Sequence, residues 1–333
     1  MYFMRRRIFQ KILFSLIALF LFFSFLIILL EFIIPSKQDI TFGVTFSPSY
    51  ATYLGLDWKE IFQASLDELK VRHFRIPVYW SSIEPSQGKF IWDDLDWMIE
   101  QADASGAKIF LAIGRKVPRW PECYTPDWAK NLSTDEQEQA LLFMLEQVIE
   151  RYQSHPSIEQ WQVENEPFLN YGECPSPNHN LLQKEISTVR KLDNRPIILT
   201  VSGELEPWNR SIRHADILGI SIYRQVYRQG IGYFSYPIPA SFYRLRSMIL
   251  SAIYNRPIIV SELQMEPWFF KSFDQFSLEE RRKLFTVSEF EKRIEYVQRT
   301  GFSQVYLWGV EWWYAEKKWQ DESLWNYAKT LFP

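Results

Sequence analysis

NRPIILTVS at residues 194–202 and NRPIIVSE at residues 255–262 carry the reading of the fold. In each, Asn-Arg-Pro stops a helical stretch and an apolar, β-branched run starts at once, because proline cannot continue a helix and biases the residue before it toward extended backbone. The near-repeat marks one unit, a helix stop followed by a strand start, used twice. Working outward, the same kind of run recurs as ITFGVTF from Ile40, HFRIPVY from His73, KIFLAIG from Lys108, IEQWQVE from Ile158, DILGISIY from Asp216 and QVYLWGV from Gln304. With PIILTVS from Pro196 and PIIVSE from Pro257 the strand candidates number eight.

Between them, Leu56 to Leu69, Leu95 to Ala104 and Asp135 to Tyr152 have helical spacing, the last opening on Ser133-Thr134 as cap candidates, and Gly106 stops the helix before the third strand. Alternating strands and helices give a parallel sheet, and strands this rich in Val, Ile, Leu and Phe are covered on both faces. Eight such units predict a (β/α)8 TIM barrel. An open doubly wound sheet shares the pattern, but a nucleotide-binding sheet of that kind needs a Gly-rich turn after its first strand, and SPSYATYLG after Phe46 is not one.

The 333 residues divide unevenly. From Lys11 to Ile34 runs KILFSLIALFLFFSFLIILLEFII, uncharged from Ile12 to Leu30 and long enough to cross a hydrocarbon core. Arg5, Arg6, Arg7 and Lys11 precede it, so the positive-inside rule predicts a cytoplasmic N-terminus, a single-pass anchor in the cell membrane and an extracytoplasmic domain. The expected organisation is a basic stub over 1–11, a span over 12–34, a short linker over 35–39 and the barrel over 40–333. A cleaved signal peptide is the rival reading; the apolar run is longer than such peptides carry, and no small-x-small site follows it.

With 37 basic and 40 acidic residues, net charge −3, the chain lacks the basic surplus that phosphate neutralisation requires, and no nucleic-acid partner is expected. Aromatic residues make up 17% of it, with 14 Trp, several near the starts of predicted loops, where sugar rings can stack through their C–H faces. A carbohydrate is therefore the expected ligand, and the lipid bilayer the expected partner of the N-terminal helix. Cys123 and Cys174 fall in loops after the third and fourth strands, which are neighbours in a barrel. Outside the membrane they are candidates for a disulfide that would stabilise by roughly 4 kcal/mol on the chain-entropy model, the alternative being two free thiols.

In a barrel, chemistry comes from the C-terminal ends of several strands. Here Arg75 lies in the second strand, Asn165-Glu166-Pro167 ends the fourth, Tyr223 the sixth and Ser261-Glu262 the seventh. Two carboxylic acids across a pocket suffice for glycoside hydrolysis, one protonating the leaving oxygen while the other attacks or stabilises the oxocarbenium-like centre. Arg75 would hold Glu262 ionised, burial or a like charge would keep Glu166 protonated, Asn165 could bond a sugar hydroxyl, and the Tyr223 phenol could position Glu262. Neither a metal nor an organic cofactor is needed. The four histidines, His73, His155, His179 and His214, show no zinc-site spacing.

At these residues the chain resembles the clan A glycoside hydrolases, retaining (β/α)8 glycosidases of the cellulase and β-glycosidase type. Their acid/base sits in an Asn-Glu-Pro ending the fourth strand, and their nucleophilic Glu ends the seventh. The resemblance implies Glu166 as acid/base, Glu262 as nucleophile, Asn165 as ligand of the substrate 2-hydroxyl, Arg75 and Tyr223 as partners of the nucleophile and Trp308 as the eighth-strand tryptophan lining the sugar subsite. It extends over Trp80 to Trp97, where IEPSQGKFIWDDLD is similar to the motif after the second strand. Where many relatives carry a histidine near the end of the third strand, this chain has Gly114-Arg115.

Other groups are weighed beside these. Trp80, Trp120, Trp268, Trp312 and Trp313 are candidate sugar platforms, with core packing as the alternative for each. Glu266 also precedes a proline but is expected out in a loop, Glu204 and Glu206 are expected to be solvated, Glu84 to pair locally, and Glu164 to sit beneath the site or at the core edge. The same residues leave open a transglycosylase that remodels surface glycans, a catalytically silent sugar-binding barrel, and a membrane scaffold whose pocket is blocked by the residues between Pro267 and Leu284.

Overall fold

A computed structural model describes residues 2–33 and 39–332. Eight parallel strands close into a barrel: β1 (Thr41–Thr45), β2 (His73–Pro77), β3 (Lys108–Ile113), β4 (Ile158–Val163), β5 (Ile197–Ser202), β6 (Ile217–Ile222), β9 (Ile258–Gln264) and β10 (Gln304–Trp308). Each of the eight runs read from the sequence supplies one barrel strand. Between β6 and β9 an antiparallel hairpin of β7 (Gln225–Arg228) and β8 (Gly232–Ser235) is added.

The strands are covered by helices, as their uninterrupted burial demands: β5 and β9 are buried along their whole length. Ile197, Leu199 and Val201 belong to the large apolar layer beneath the helices, whereas Ile198 joins Phe110, Ile259 and Tyr306 in the small cluster that fills the barrel centre. That alternation follows from the two-residue period of a strand. The helix Thr134–Tyr152 begins with Ser133 as N-cap in a reciprocal capping box with Glu136, which satisfies two otherwise orphaned backbone donors. Short helical segments such as Pro48–Tyr53 and Asp127–Lys130 escape the sequence pattern because so few residues show no period.

The N-terminal helix runs from Tyr2 to Ile33, and its stretch Phe9–Leu26 is long and apolar enough to cross a membrane. Most of the linker placed at 35–39 lies outside the described residues, as does Pro333 at the end of the barrel segment.

Trp80 and Trp312 are corrections to the expected sugar platforms. Both are fully buried, as is Trp313: Trp80 bonds Glu84 through its indole N–H at 2.7 Å, and Trp312 packs against Phe269 and Trp319. Each sits on a short helix, where the face turned to the core rather than the loop position decides exposure.

Candidate active site

The site is built at the C-terminal end of the barrel, and the backbone after β4 sets it. Glu164 and Glu166 both have left-handed φ values, 58° and 43°, on either side of Asn165. Each such non-glycine residue costs on the order of 1–3 kcal/mol, so the surroundings must fix it. The Glu164 carboxylate accepts from the backbone N–H of Arg115 at 2.7 Å and of Lys116 at 2.8 Å, and the Glu166 N–H donates to Thr200 Oγ1 at 2.8 Å. Gly114 makes the first contacts possible, since a Cβ there would lie 2.6 Å from Glu164 Oε1. Glu164 thus ties the third strand end to the fourth.

Arg75, fully buried, is the hub. Its Nε donates to Gln162 Oε1 at 2.7 Å, its Nη2 to Asn165 Oδ1 at 2.8 Å, and its Nη1 forms an ion pair with Glu262 Oε1. Tyr223 donates its phenolic proton to the other oxygen of Glu262 at 2.9 Å. Burial, then the negative charges of Glu262 and Glu166, push the Tyr223 phenol well above its ordinary value, so it stays a donor. Glu166 has a different environment. Its Oε1 lies 2.6 Å from Ser221 Oγ, and burial first, followed by the charges of Glu262 and Glu122, raises its carboxyl well above the usual range. One glutamate is therefore held by a cation and a phenol, while the other is buried without a cation on its carboxylate among the described residues.

Above the pair opens a cavity of about 950 Å³ lined by Glu166, Glu262, Tyr223, Trp308, Trp268 and Trp120 among others. Residues 267–273 form part of its wall and leave it open. The structure brings Arg75, Asn165, Glu166, Tyr223, Glu262 and Trp308 together, places Trp120 and Trp268 at the cavity, and leaves Trp80 and Trp312 in the core. Cys123 and Cys174 are joined, with Cα atoms 5.2 Å apart.

Three glutamates depart from expectation. Glu266 is buried, ion-paired with Arg119, and accepts from the Trp308 indole at 2.8 Å. Arg119 in turn bonds Glu311 at 3.0 Å and lies over the rings of Tyr50 and Trp308, 3.7 and 4.1 Å from their centroids. β9 runs two residues beyond Glu262, and Gly309 lets the next chain approach: a Cβ there would lie 2.7 Å from Met265 O, so Glu266 turns inward instead of out into a loop. Glu204 lines the cavity and accepts from Tyr243 OH at 2.7 Å and from the Tyr223 N–H at 3.0 Å; burial pushes its carboxyl up to about 7. Glu206 is buried and accepts from the Ser202 N–H at 2.8 Å.

Sequence reasoning missed Ser221, Thr200, Arg119 and Glu122. Ser221 lies on β6 two residues before Tyr223, a same-side spacing that could have flagged the serine. Arg119 and Glu122 both adopt left-handed φ in a loop, where no periodicity exists.

A closed parallel barrel with glutamates after its fourth strand and on its seventh resembles the framework of the clan A (β/α)8 glycoside hydrolases. Within that class, the glycoside hydrolase 42 family, described as beta-galactosidase, matches residues 56–200, a span that includes Asn165 and Glu166 and stops before Glu262. The curated beta-galactosidase bgaB of Geobacillus kaustophilus is 24% identical over 140 residues, 35% of this chain and 20% of the relative. The chain thus matches about a fifth of that relative's length. Among solved structures, the beta-galactosidase of the psychrophilic Marinomonas ef1 aligns with TM-score 0.54 at 13% identity, over 80% of this chain and 54% of the other. A GH5_18 protein of Bifidobacterium longum, solved in complex with Manb1-4GlcNAc, aligns with TM-score 0.58 at 14% identity, over 81% and 68%.

Proposed function

We propose that the chain is a membrane-anchored, retaining glycoside hydrolase that acts outside the cytoplasm on an oligo- or polysaccharide, with Glu166 as acid/base and Glu262 as nucleophile. The observation that carries the reading is the contrast between the two carboxyls. Arg75 and Tyr223 bind and orient the two oxygens of Glu262, while burial and the charges of Glu262 and Glu122 raise the Glu166 carboxyl well above the usual range.

In the first step Glu262 attacks the anomeric carbon as Glu166 gives its proton to the departing oxygen, and a glycosyl ester forms on Glu262. Forming that ester removes the negative charge which raised the Glu166 carboxyl, so Glu166 stays ionised once its proton is given up; it then takes a proton from a water that attacks the anomeric carbon and breaks the ester to Glu262. Asn165 Oδ1 is taken by Arg75 and Thr200, which orients its amide nitrogen for a sugar hydroxyl. Trp308, held by Glu266 and stacked on Arg119, offers a fixed floor for the sugar ring. A cavity of about 950 Å³ suits a substrate of sugar-oligomer size.

The family resemblance makes an aryl β-galactoside the first substrate to try. Turnover should be abolished by Glu262→Gln and largely lost in Glu166→Ala, and proton NMR of the first-formed product should show the anomeric configuration of the substrate. Inversion would assign Glu262 a base role instead. Full turnover in both variants would place the chemistry on other residues, and sugar binding without turnover by the wild type would leave a sugar-binding barrel. The anchor is supported by the apolar helix Tyr2–Ile33 and is checked by whether the full chain stays with membranes through alkaline carbonate extraction.

A further inference from the structure

A helix on the outside of a barrel buries its apolar side on the strands and turns its polar side to water. The helix Val287–Thr300 does so, exposing Ser288, Glu291, Lys292, Glu295 and Arg299. The helix Ala240–Tyr254 packs beside it, between the β7–β8 hairpin and β9, and its exposed residues are Met248, Ile249, Ala252 and Ile253, all apolar. Met248, Ile249 and Ile253 are 60%, 46% and 67% exposed, and residues one, four and five apart share one side of a helix. The chain has 40 acidic residues, yet from Ile217 to Ser261 it has neither Asp nor Glu, so the segment brings no negative charge to this face. Asp216, just before it, is paired with Arg190 and Arg256.

The place of the face in the fold points to what covers it. The second half of the helix descends toward the N-terminal ends of the strands, since residues 255–257 lead straight into β9 at Ile258. β1 begins at that same end with Thr41, and β10 alone stands between β1 and β9 in the barrel order. Residues 34–40 join the apolar helix Tyr2–Ile33 to Thr41, a reach of at most about 28 Å. A barrel on so short a tether lies close to the bilayer that its anchor crosses, with the tethered end toward the lipid. The N-terminal helix also lies against Ala240–Tyr254 and still leaves the three side chains exposed.

We propose that Met248, Ile249 and Ile253 form a second membrane contact, set into the phospholipid bilayer at the headgroup and upper acyl level beside the anchor. The inference rests on the N-terminal helix spanning the membrane. The apolar face of an interfacial helix enters lipid by about 5–10 Å, which takes in these side chains and leaves the barrel in water. A span and a lipid-seated face together fix the tilt of the domain, whereas a tether alone lets it turn. The cavity opens at the opposite ends of the strands, so its mouth is directed away from the lipid, toward substrate in the water beyond.

The test places an NBD fluorophore on Ile253→Cys in the full chain, reconstituted into vesicles of phosphatidylethanolamine and phosphatidylglycerol. Cys123 and Cys174 are joined and take no label. Glu100→Cys is the reference, exposed on the helix Asp93–Ser105, which lies between β2 and β3 on the far side of the barrel. Emission from position 253 should shift to shorter wavelength on reconstitution and be lost when the lipids carry a nitroxide high on their acyl chains, with position 100 unchanged. Ile249→Cys gives a second reading should the first label unfold the domain. A shift that lipid nitroxides do not quench means that protein, a second copy or the chain's own N-terminal helix, covers the face, and overturns the proposal. No shift at either position, in chains that float with the vesicles and withstand carbonate, overturns the contact and leaves the anchor intact. Chains that do not float with the vesicles overturn both.

Discussion

Ser221 Oγ lies 2.6 Å from Glu166 Oε1, close enough for the hydroxyl to donate, and it is the polar contact that lowers the proton affinity of a carboxyl which burial, Glu262 and Glu122 all raise. Removing it should therefore move Glu166 further up. In Ser221→Ala the alkaline limb of the kcat/KM profile, where the acid loses its proton, is expected to shift to higher pH, with a modest loss of rate. A limb that stays put or moves down would separate Glu166 from that ionisation.

Arg75 is fully buried and its three nitrogens are committed to Gln162, Asn165 and Glu262. Arg75→Met strands the Glu262 charge, so unfolding free energy should drop by about 3–5 kcal/mol. Adding Glu262→Gln should recover part of that loss, since the stranded charge is gone. Denaturant titration of the single and double variants measures the recovery, and none would mean that Arg75 acts through packing alone.

Glu166 also predicts a pH signature in stability. Its folded-state carboxyl is raised, so its favourable contribution is complete below the unfolded value of about 4.3 and fades as pH rises toward the folded one. Glu166→Gln removes this penalty. Its unfolding midpoint should match wild type in acid and exceed it increasingly toward alkaline pH, as followed by denaturant melts across that range. A constant offset would reject the raised carboxyl.

Trp312 and Trp120 were equivalent in the sequence and are opposite in the structure. Trp312→Ala empties a fully buried site and should cost about 3–5 kcal/mol of stability, whereas Trp120→Ala at the exposed cavity wall should change the unfolding temperature little and act on substrate use. Paired thermal melts and saccharide kinetics decide between the two roles.

The barrel was legible because its signals are local. Proline after Asn-Arg at 196 and 257, a β-branched run and an apolar helix face between them depend on a few neighbouring residues, and the hydrophobic period survives without knowledge of contacts. The same locality made the glutamate positions readable: a residue that ends a barrel strand reaches the same rim whatever the loops do. Glu266 and Glu204 were misplaced because their burial depends on partners far along the chain, Arg119 for the first and Tyr243 for the second.

The sequence by itself determined the eight strand and helix units, the apolar N-terminal helix, the place of Arg75 within the second strand and that of Asn165, Glu166, Tyr223 and Glu262 toward strand ends. The tertiary structure alone decided which tryptophans face the cavity, that Glu262 has a cation on its carboxylate while Glu166 has a serine, and that Trp120 meets Tyr171 across the two disulfide-linked loops. The reason is physical: a strand's period is two residues and a helix's turn fewer than four, so local pattern sets which side of an element a residue takes. The charge and burial that tune a carboxyl come instead from elements far apart in sequence, meeting only when the barrel closes.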